Sequence, residues 1–187
     1  MKKIILFLIA FTIISCNKKD ETISPDSIYN VDTKWEKQDG KKISFLDFKG
    51  KVLVMAMIFT SCKTACPRLT AEMKNISQKV GNIGSDDIQY VLISIDPETD
   101  TPEVMKAYLK ANKFDDKKWT FIRSSDENTR ELANIMAIKY KEITPIEFSH
   151  SNIISVYSKK GILAFQKEGL NEDIDLTAKE IKKQLEL

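Results

Sequence analysis

One feature constrains this chain more than any other. Val52-Leu53-Val54-Met55-Ala56-Met57-Ile58-Phe59 is an uninterrupted apolar run. It is followed at once by Thr60-Ser61-Cys62-Lys63-Thr64-Ala65-Cys66-Pro67. A run of this length, with no polar alternation, suits a strand covered on both faces. Leu69, Met73, Ile76 and Val80 then recur at helical spacing, and Gly81 can end the helix. Pro67 fits the first helical turn, where a missing N–H costs nothing. A buried strand passing through a short loop into a helix belongs to an α/β fold. The place just beyond the strand's carboxyl end is where open α/β sheets do chemistry.

The remaining elements fit that frame. Trp35 to Ser44 reads as a hairpin around Asp39-Gly40. Ile88 to Ile95 is a second apolar strand, and Trp119 to Ile122 a third, shorter one. Thr101-Pro102-Glu103 starts a helix, with Thr as cap and Pro at the first position, and Val104, Tyr108 and Ala111 are expected on its inner side. Asp126 is expected to cap another helix, with Leu132, Ile135 and Met136 inward. Asn152 to Tyr157 and Ile162 to Gln166 form strands around Ser158-Lys159-Lys160-Gly161, and Leu176 to Leu185 closes the chain as a helix. Alternating strands and helices give parallel pairing with right-handed crossovers, while the hairpins give antiparallel edges. The expected fold is α/β and thioredoxin-like: a mixed central sheet, helices on both faces and an N-terminal β-hairpin. At 187 residues the chain is long enough to bury a full core.

The N-terminus reads as a targeting segment. Lys2 and Lys3 precede an apolar stretch, Ile4 to Ile14, that is too short to span a bilayer but has the length of a signal-peptide core. Ile13-Ile14-Ser15-Cys16, followed abruptly by polar residues, resembles the bacterial lipobox. That resemblance implies a lipoprotein signal peptide over residues 1–15 and a lipid on Cys16. Residues 16–33 read as a polar tether, and residues 34–187 as the domain. The expected location is extracytoplasmic and periplasmic, at a membrane through the lipid anchor. Lys plus Arg number 29 against 27 Asp plus Glu, without a run of one sign, so nucleic acid is not expected as a partner.

Subtracting Cys16 from the three cysteines leaves Cys62 and Cys66. A bridge enclosing three residues would constrain the unfolded chain very little, so the pair suits redox work or metal binding better than a structural disulfide. The helix start favours thiolate. Four residues of helix rise about 6 Å, inside the roughly 4.4–6.8 Å between Cα atoms that a disulfide needs. The pair can therefore close as a disulfide or open as a two-sulfur clamp. The six methionines fall in strands and helices, apart from the initiator, and read as core filling rather than a metal-binding run.

Three segments together resemble the SCO (SenC-type) family of copper chaperones for cytochrome oxidase assembly. They are the apolar strand with C-x-x-x-C-P, the stretch Ser94-Ile95-Asp96-Pro97-Glu98-Thr99-Asp100-Thr101-Pro102, and Phe148-Ser149-His150-Ser151. They occur in the family's order. The resemblance implies metal ligands at Cys62, Cys66 and His150, the chain's one histidine. It implies copper, as Cu(I) or Cu(II), with a dithiol–disulfide change at Cys62 and Cys66 gating the metal. Two thiolates and one imidazole suit Cu(I), and a structural zinc site would want a fourth ligand. Asp96 is a candidate for steadying the copper loop, although Asp96 and Asp100 also suit turn and cap chemistry.

Implied partners are cytochrome c oxidase subunit II or a related copper oxidase, and a thiol reductant protein. The chain departs from the family at Lys63, where Pro is usual, and at Ser149, where Asp is frequent; neither position supplies a ligand. A second reading is an enzyme, a thiol–disulfide oxidoreductase that reduces a partner's copper-site cysteines. Thioredoxin-type catalysis, however, uses C-x-x-C. A peroxidase reading fits poorly, because no Pro precedes Cys62 in the strand and loop.

Overall fold

The computed structural model of the protein describes residues 22–82, 86–115, 117–144, 147–170 and 173–187, with backbone alone for residue 144 and residues 147–150. Segment 1–15 and Cys16 lie outside the described residues. The elements are β1 (Trp35–Lys37), β2 (Lys42–Ile43), β3 (Val52–Ile58), α1 (Ala65–Val80), β4 (Ile88–Ser94), α2 (Pro102–Ala111) and β5 (Trp119–Arg123). They continue with α3 (Asp126–Ile135), β6 (Tyr140–Thr144), β7 (Glu147–His150), β8 (Ile153–Tyr157), β9 (Leu163–Glu168) and α4 (Ile174–Glu186).

Seven strands form one sheet in the order β2-β1-β5-β4-β3-β8-β9. β3, β4 and β5 are parallel, and β1, β2, β8 and β9 are attached antiparallel. Every residue of β3 and β4 is buried, which is why their sequences carry no alternation. β4-β3-β8-β9, with α1 between β3 and β4 and α4 after β9, is the thioredoxin-like core, and β1, β2 and β5 widen it.

Side-chain alternation along β9 shows that both faces are covered. Lys167 Nζ donates to Glu72 of α1 at 2.8 Å, whereas the neighbouring Gln166 Nε2 donates to the Met136 carbonyl, just past α3, at 2.8 Å. α4 packs on α1. α2 joins the same face, where Tyr108 meets Thr70 and Lys74 donates to the Asn112 carbonyl. Beneath this layer Tyr90, Trp119 and Phe114 stack, with centroids 4.7 and 4.1 Å apart. Met55, Met57, Met73, Met105 and Met136 are all buried, as core residues.

The structure corrects four expectations. The inner face of α2 is Met105 and Leu109 with Tyr108 half-buried, not Val104 and Ala111, which are exposed. Both stripes have helical spacing, and the sheet takes the one that buries more apolar surface. The cap of α3 is Ser125, whose hydroxyl accepts from the Asn128 N–H, while Asp126 lies inside the helix and pairs with Arg130. Ile135, read as inward, is 49% exposed, whereas Leu132 and Met136 are buried as read and Thr129 and Ala133 are buried with them.

The last correction lies in the segment read as tether, which packs against the core at Ile23 and is buried from Ser27 to Tyr29. Ile28, Tyr29 and Val31 belong to the core, the Ile28 N–H donates to the Gly161 carbonyl, and the Tyr29 hydroxyl reaches the Lys159 carbonyl. The β6–β7 pair was not legible as strands at all. It forms a separate two-stranded sheet, and Ile143 on it is 62% exposed, so no burial pattern marks it.

Candidate metal centre at the cysteine loop

β3 ends at Ile58, whose carbonyl still accepts from the Ile95 N–H at 3.0 Å. The chain then turns, and the Cys62 N–H donates back to the Phe59 carbonyl at 3.3 Å. Thr64 occupies the cap position of α1 without a side-chain cap hydrogen bond. The first-turn N–H groups of a helix have no intrahelical acceptor. One of them, from Cys66, is directed at Cys62 Sγ at 3.4 Å, and the Thr64 hydroxyl lies 3.9 Å from the same sulfur. Both cysteines are free thiols.

This geometry separates the two sulfurs chemically. Partial burial opposes ionisation of Cys62, but hydrogen bonds from the Cys66 and Thr64 N–H groups outweigh it and hold the thiol below its ordinary value. Cys66 is fully buried, and burial pushes its thiol well up; the Phe59 hydrogen bond opposes this, and the negative charges of Cys62 and Asp100 add to it. Cys62 is thus the half-exposed, thiolate-prone partner, and Cys66 the sheltered one.

A polar cluster stands behind the loop. Asp100, fully buried, accepts from the Thr60 N–H at 3.2 Å, from the Thr60 hydroxyl, and from the Ser94 hydroxyl at 2.6 Å. Burial raises its carboxyl above the usual range, with these hydrogen bonds opposing and the nearby Asp96 adding to the rise. Asp96 holds its own turn. Its carboxylate accepts from the Thr99 N–H at 3.3 Å, and its N–H donates to Ser94 Oγ at 3.1 Å. Asp100, rather than Asp96, therefore makes the contact with the cysteine loop.

Two further braces meet this cluster. Arg123 donates to the Pro97 carbonyl at 2.9 Å and pairs with Glu36 of β1 at 2.8 Å, which ties the turn to the N-terminal hairpin. On the other side, the Thr70 hydroxyl donates to the Cys66 carbonyl at 3.0 Å and lies 3.1 Å from the Tyr108 hydroxyl. Sequence reasoning missed Asp100 as the contact and read Tyr108 only as an inner-side residue of α2, not as a partner of Thr70. Asp100 did carry a signal, since Thr101 already serves as the cap of α2 and leaves the Asp100 carboxylate without a local task.

His150 is the last residue of β7, and its backbone pairs in register with Tyr140. Its side chain lies outside the described residues, as do the side chains of Phe148 and Ser149. Among the described side chains no group of three His, Cys, Asp or Glu is assembled. The backbone places His150 by topology. β8 runs antiparallel to β3, with Leu53 opposite Tyr157 and Met55 opposite Ser155. The start of β8 thus lies beside the end of β3, and the chain arrives through His150 and Ser151 at the end of the sheet from which the cysteine loop leaves.

The SCO1/SenC family profile matches residues 27–186. The SCO1 protein homolog of Bacillus subtilis is 31% identical over 105 residues, which cover 56% of this chain and 54% of that protein, about half its length. A SCO1/SenC family lipoprotein of Bacillus anthracis superposes with a TM-score of 0.74 at 26% identity, over 81% of this chain and 92% of that one. The copper-bound ScoI of Arabidopsis thaliana superposes with a TM-score of 0.72 at 23% identity, over 82% of this chain and 95% of that one, a likeness of fold. The profile begins at Ser27, the first buried residue among those described, and it runs through both cysteines and His150. The chain therefore belongs to the SCO1/SenC family.

Proposed function

We propose that the protein is an extracytoplasmic copper metallochaperone. It takes up copper through Cys62, Cys66 and His150 and passes it to the copper centre of cytochrome c oxidase subunit II or a related oxidase. The observation that carries this reading is the cysteine pair at the start of α1, where the Cys66 N–H meets Cys62 Sγ at 3.4 Å. Two sulfurs, one on the loop and one in the first turn of α1, form an open clamp for a soft ion. The β3–β8 pairing supports an imidazole from residue 150 as the third donor, because it brings that part of the chain to the same end of the sheet. Membership of the family supports the cargo and the recipient.

In this reading copper is cargo, so a three-donor site suits transfer better than a closed tetrahedral one would. Both cysteines must be reduced and deprotonated to bind. Oxidation to a Cys62–Cys66 disulfide would switch the clamp off, and a thiol reductant protein would restore it. The lipid on Cys16 would hold the domain at the membrane surface. Among the described residues no helix is long and apolar enough to cross a membrane.

The test is copper titration of the reduced protein beside its Cys62→Ser and His150→Ala variants. Loss of tight binding in Cys62→Ser and weakening in His150→Ala are expected. Unchanged affinity in both would sink the proposal.

The unequal thiols favour a second reading, reduction of a partner's disulfide. The Cys62 thiolate would attack one sulfur of the partner, forming a mixed disulfide. Cys66 would then displace the partner as a dithiol and leave the Cys62–Cys66 disulfide, so that two electrons pass from the pair to the partner. Rapid turnover on a disulfide substrate by protein that takes no copper would select this reading.

A further inference from the structure

A buried carboxylate beside the cysteine loop has no part in the clamp as described. Asp100 accepts three hydrogen bonds, and two of them come from Thr60, two residues before Cys62. The third comes from Ser94, the last residue of β4. One side chain thus joins the exits of the two central strands at the end of the sheet where the cysteines lie. It does not cap α2, because Thr101 does, accepting from the Val104 N–H. Its partners are hydroxyls and an N–H rather than a cation, and a buried carboxylate held this way is costly.

The segment that presents Asp100 is itself held firmly. The Asp100 N–H donates to the Asp96 carbonyl at 3.0 Å, the Thr99 N–H to the Asp96 carboxylate, and Arg123 to the Pro97 carbonyl. The ionisable groups around it are Asp96 on its own turn, Cys66 on α1 and Tyr108 on α2. All of them lose a proton to become negative, so none can neutralise it.

We propose that Asp100 is a positioning residue for the Cys62–Cys66 pair: through Thr60 it locks the loop in the form that holds the two sulfurs together and keeps Cys66 shielded. The inference rests on the pair being the working site and deepens that reading. The Thr60–Asp100 link ties the strand exit to an acceptor 40 residues away in sequence, on a turn that is itself held. If it is cut, the loop can open while the sheet stays folded, which is a local rather than a global transition.

The test is native-state alkylation of the reduced, metal-free protein with iodoacetamide, read peptide by peptide so that Cys62 and Cys66 are followed separately. Asp100→Asn and Thr60→Val are each expected to speed modification of Cys66 about ten-fold relative to Cys62. The double variant should do little more than either alone, because both weaken one link, Thr60→Val by removing its hydroxyl donor while the N–H remains. Val80→Ala, at the far end of α1, should lower Tm without changing the ratio.

An unchanged ratio in the folded variants, or an equal change in Val80→Ala, would overturn the proposal. Should Asp100→Asn fail to fold, Thr60→Val decides alone, since it keeps the carboxylate and its Ser94 bond. Copper titration of the same variants separates the two readings. Wild-type protein that takes no copper rejects the chaperone, while the alkylation ratio still decides the role of Asp100.

Discussion

At Cys62 and Cys66 the passage from loop to helix gives two identical side chains opposite characters. The difference comes from backbone N–H groups directed at one sulfur and from burial of the other. Iodoacetamide should therefore modify Cys62 first, with a pH midpoint below the value of about 8.5 for a free thiol, and Cys66 should lag across the whole range. Mass spectrometry of timed samples checks the order, and faster modification of Cys66 would contradict it. The pair was legible in the sequence because its chemistry is local: four residues, a strand end and a helix start. The Asp100 contact was not legible, because its acceptor and donor are 40 residues apart and meet only when β3 and β4 pair. His150 was singled out by its motif, and its place next to β8 follows from strand order, which periodicity alone does not give.

At the scale of elements, the sheet's two faces are tied to their helices in different ways. On the α1 face Lys167 and Glu72 form a buried ion pair, 4% and 9% exposed at the side chain. Removing one partner of such a pair costs about 3–5 kcal/mol, while an apolar replacement of both is often near neutral. Lys167→Met should therefore lower stability by about that amount in denaturant titration, and Lys167→Met with Glu72→Leu should recover most of it. Equal losses in the single and double variants would show that the pair itself stabilises the fold.

The hairpin brace responds to acid. Glu36 is held below the usual carboxylate range, first by the hydrogen bond from Arg123 and then by Lys42, with slight burial opposing. A carboxyl lowered on folding adds stability that is present above its unfolded value of about 4.3 and is lost as pH falls through the folded value. Acidification through that window should loosen β1 from β5, visible as faster amide exchange at Gln38, whose N–H donates to the Phe121 carbonyl, and Glu36→Gln should remove the pH dependence. The main strands and helices were legible because burial writes itself into their patterns. The faces of α2 and α3 were not, since two stripes competed for one sheet, and neither was the exposed β6–β7 pair.

Across the whole molecule the chain separates its two ends. β3 runs from Val52, near the β8–β9 turn, to Ile58, near the cysteines, a span of about 20 Å. Segment 27–31 packs at the turn end, through Ser27 on the Lys160 carbonyl and Tyr29 on the Lys159 carbonyl. This segment therefore docks at the far end of the sheet from the cysteine loop. Gly161 makes this docking fit. It adopts φ +75°, and a Cβ there would come within 2.5 Å of Ser27 Oγ and 2.8 Å of the Tyr29 ring. Gly161→Ala should release the segment, seen as new proteolysis near Ser27, with little effect on the cysteine loop. Protection equal to wild type would contradict that.

The central claim is a sulfur-ligated copper centre, and the absorption spectrum of the copper(II)-loaded protein beside Cys62→Ser tests it most directly. A sulfur-to-copper charge-transfer band should appear in the wild type and vanish in the variant, and it should shift in His150→Ala. A spectrum without such a band, or one that Cys62→Ser leaves unchanged, would contradict the account.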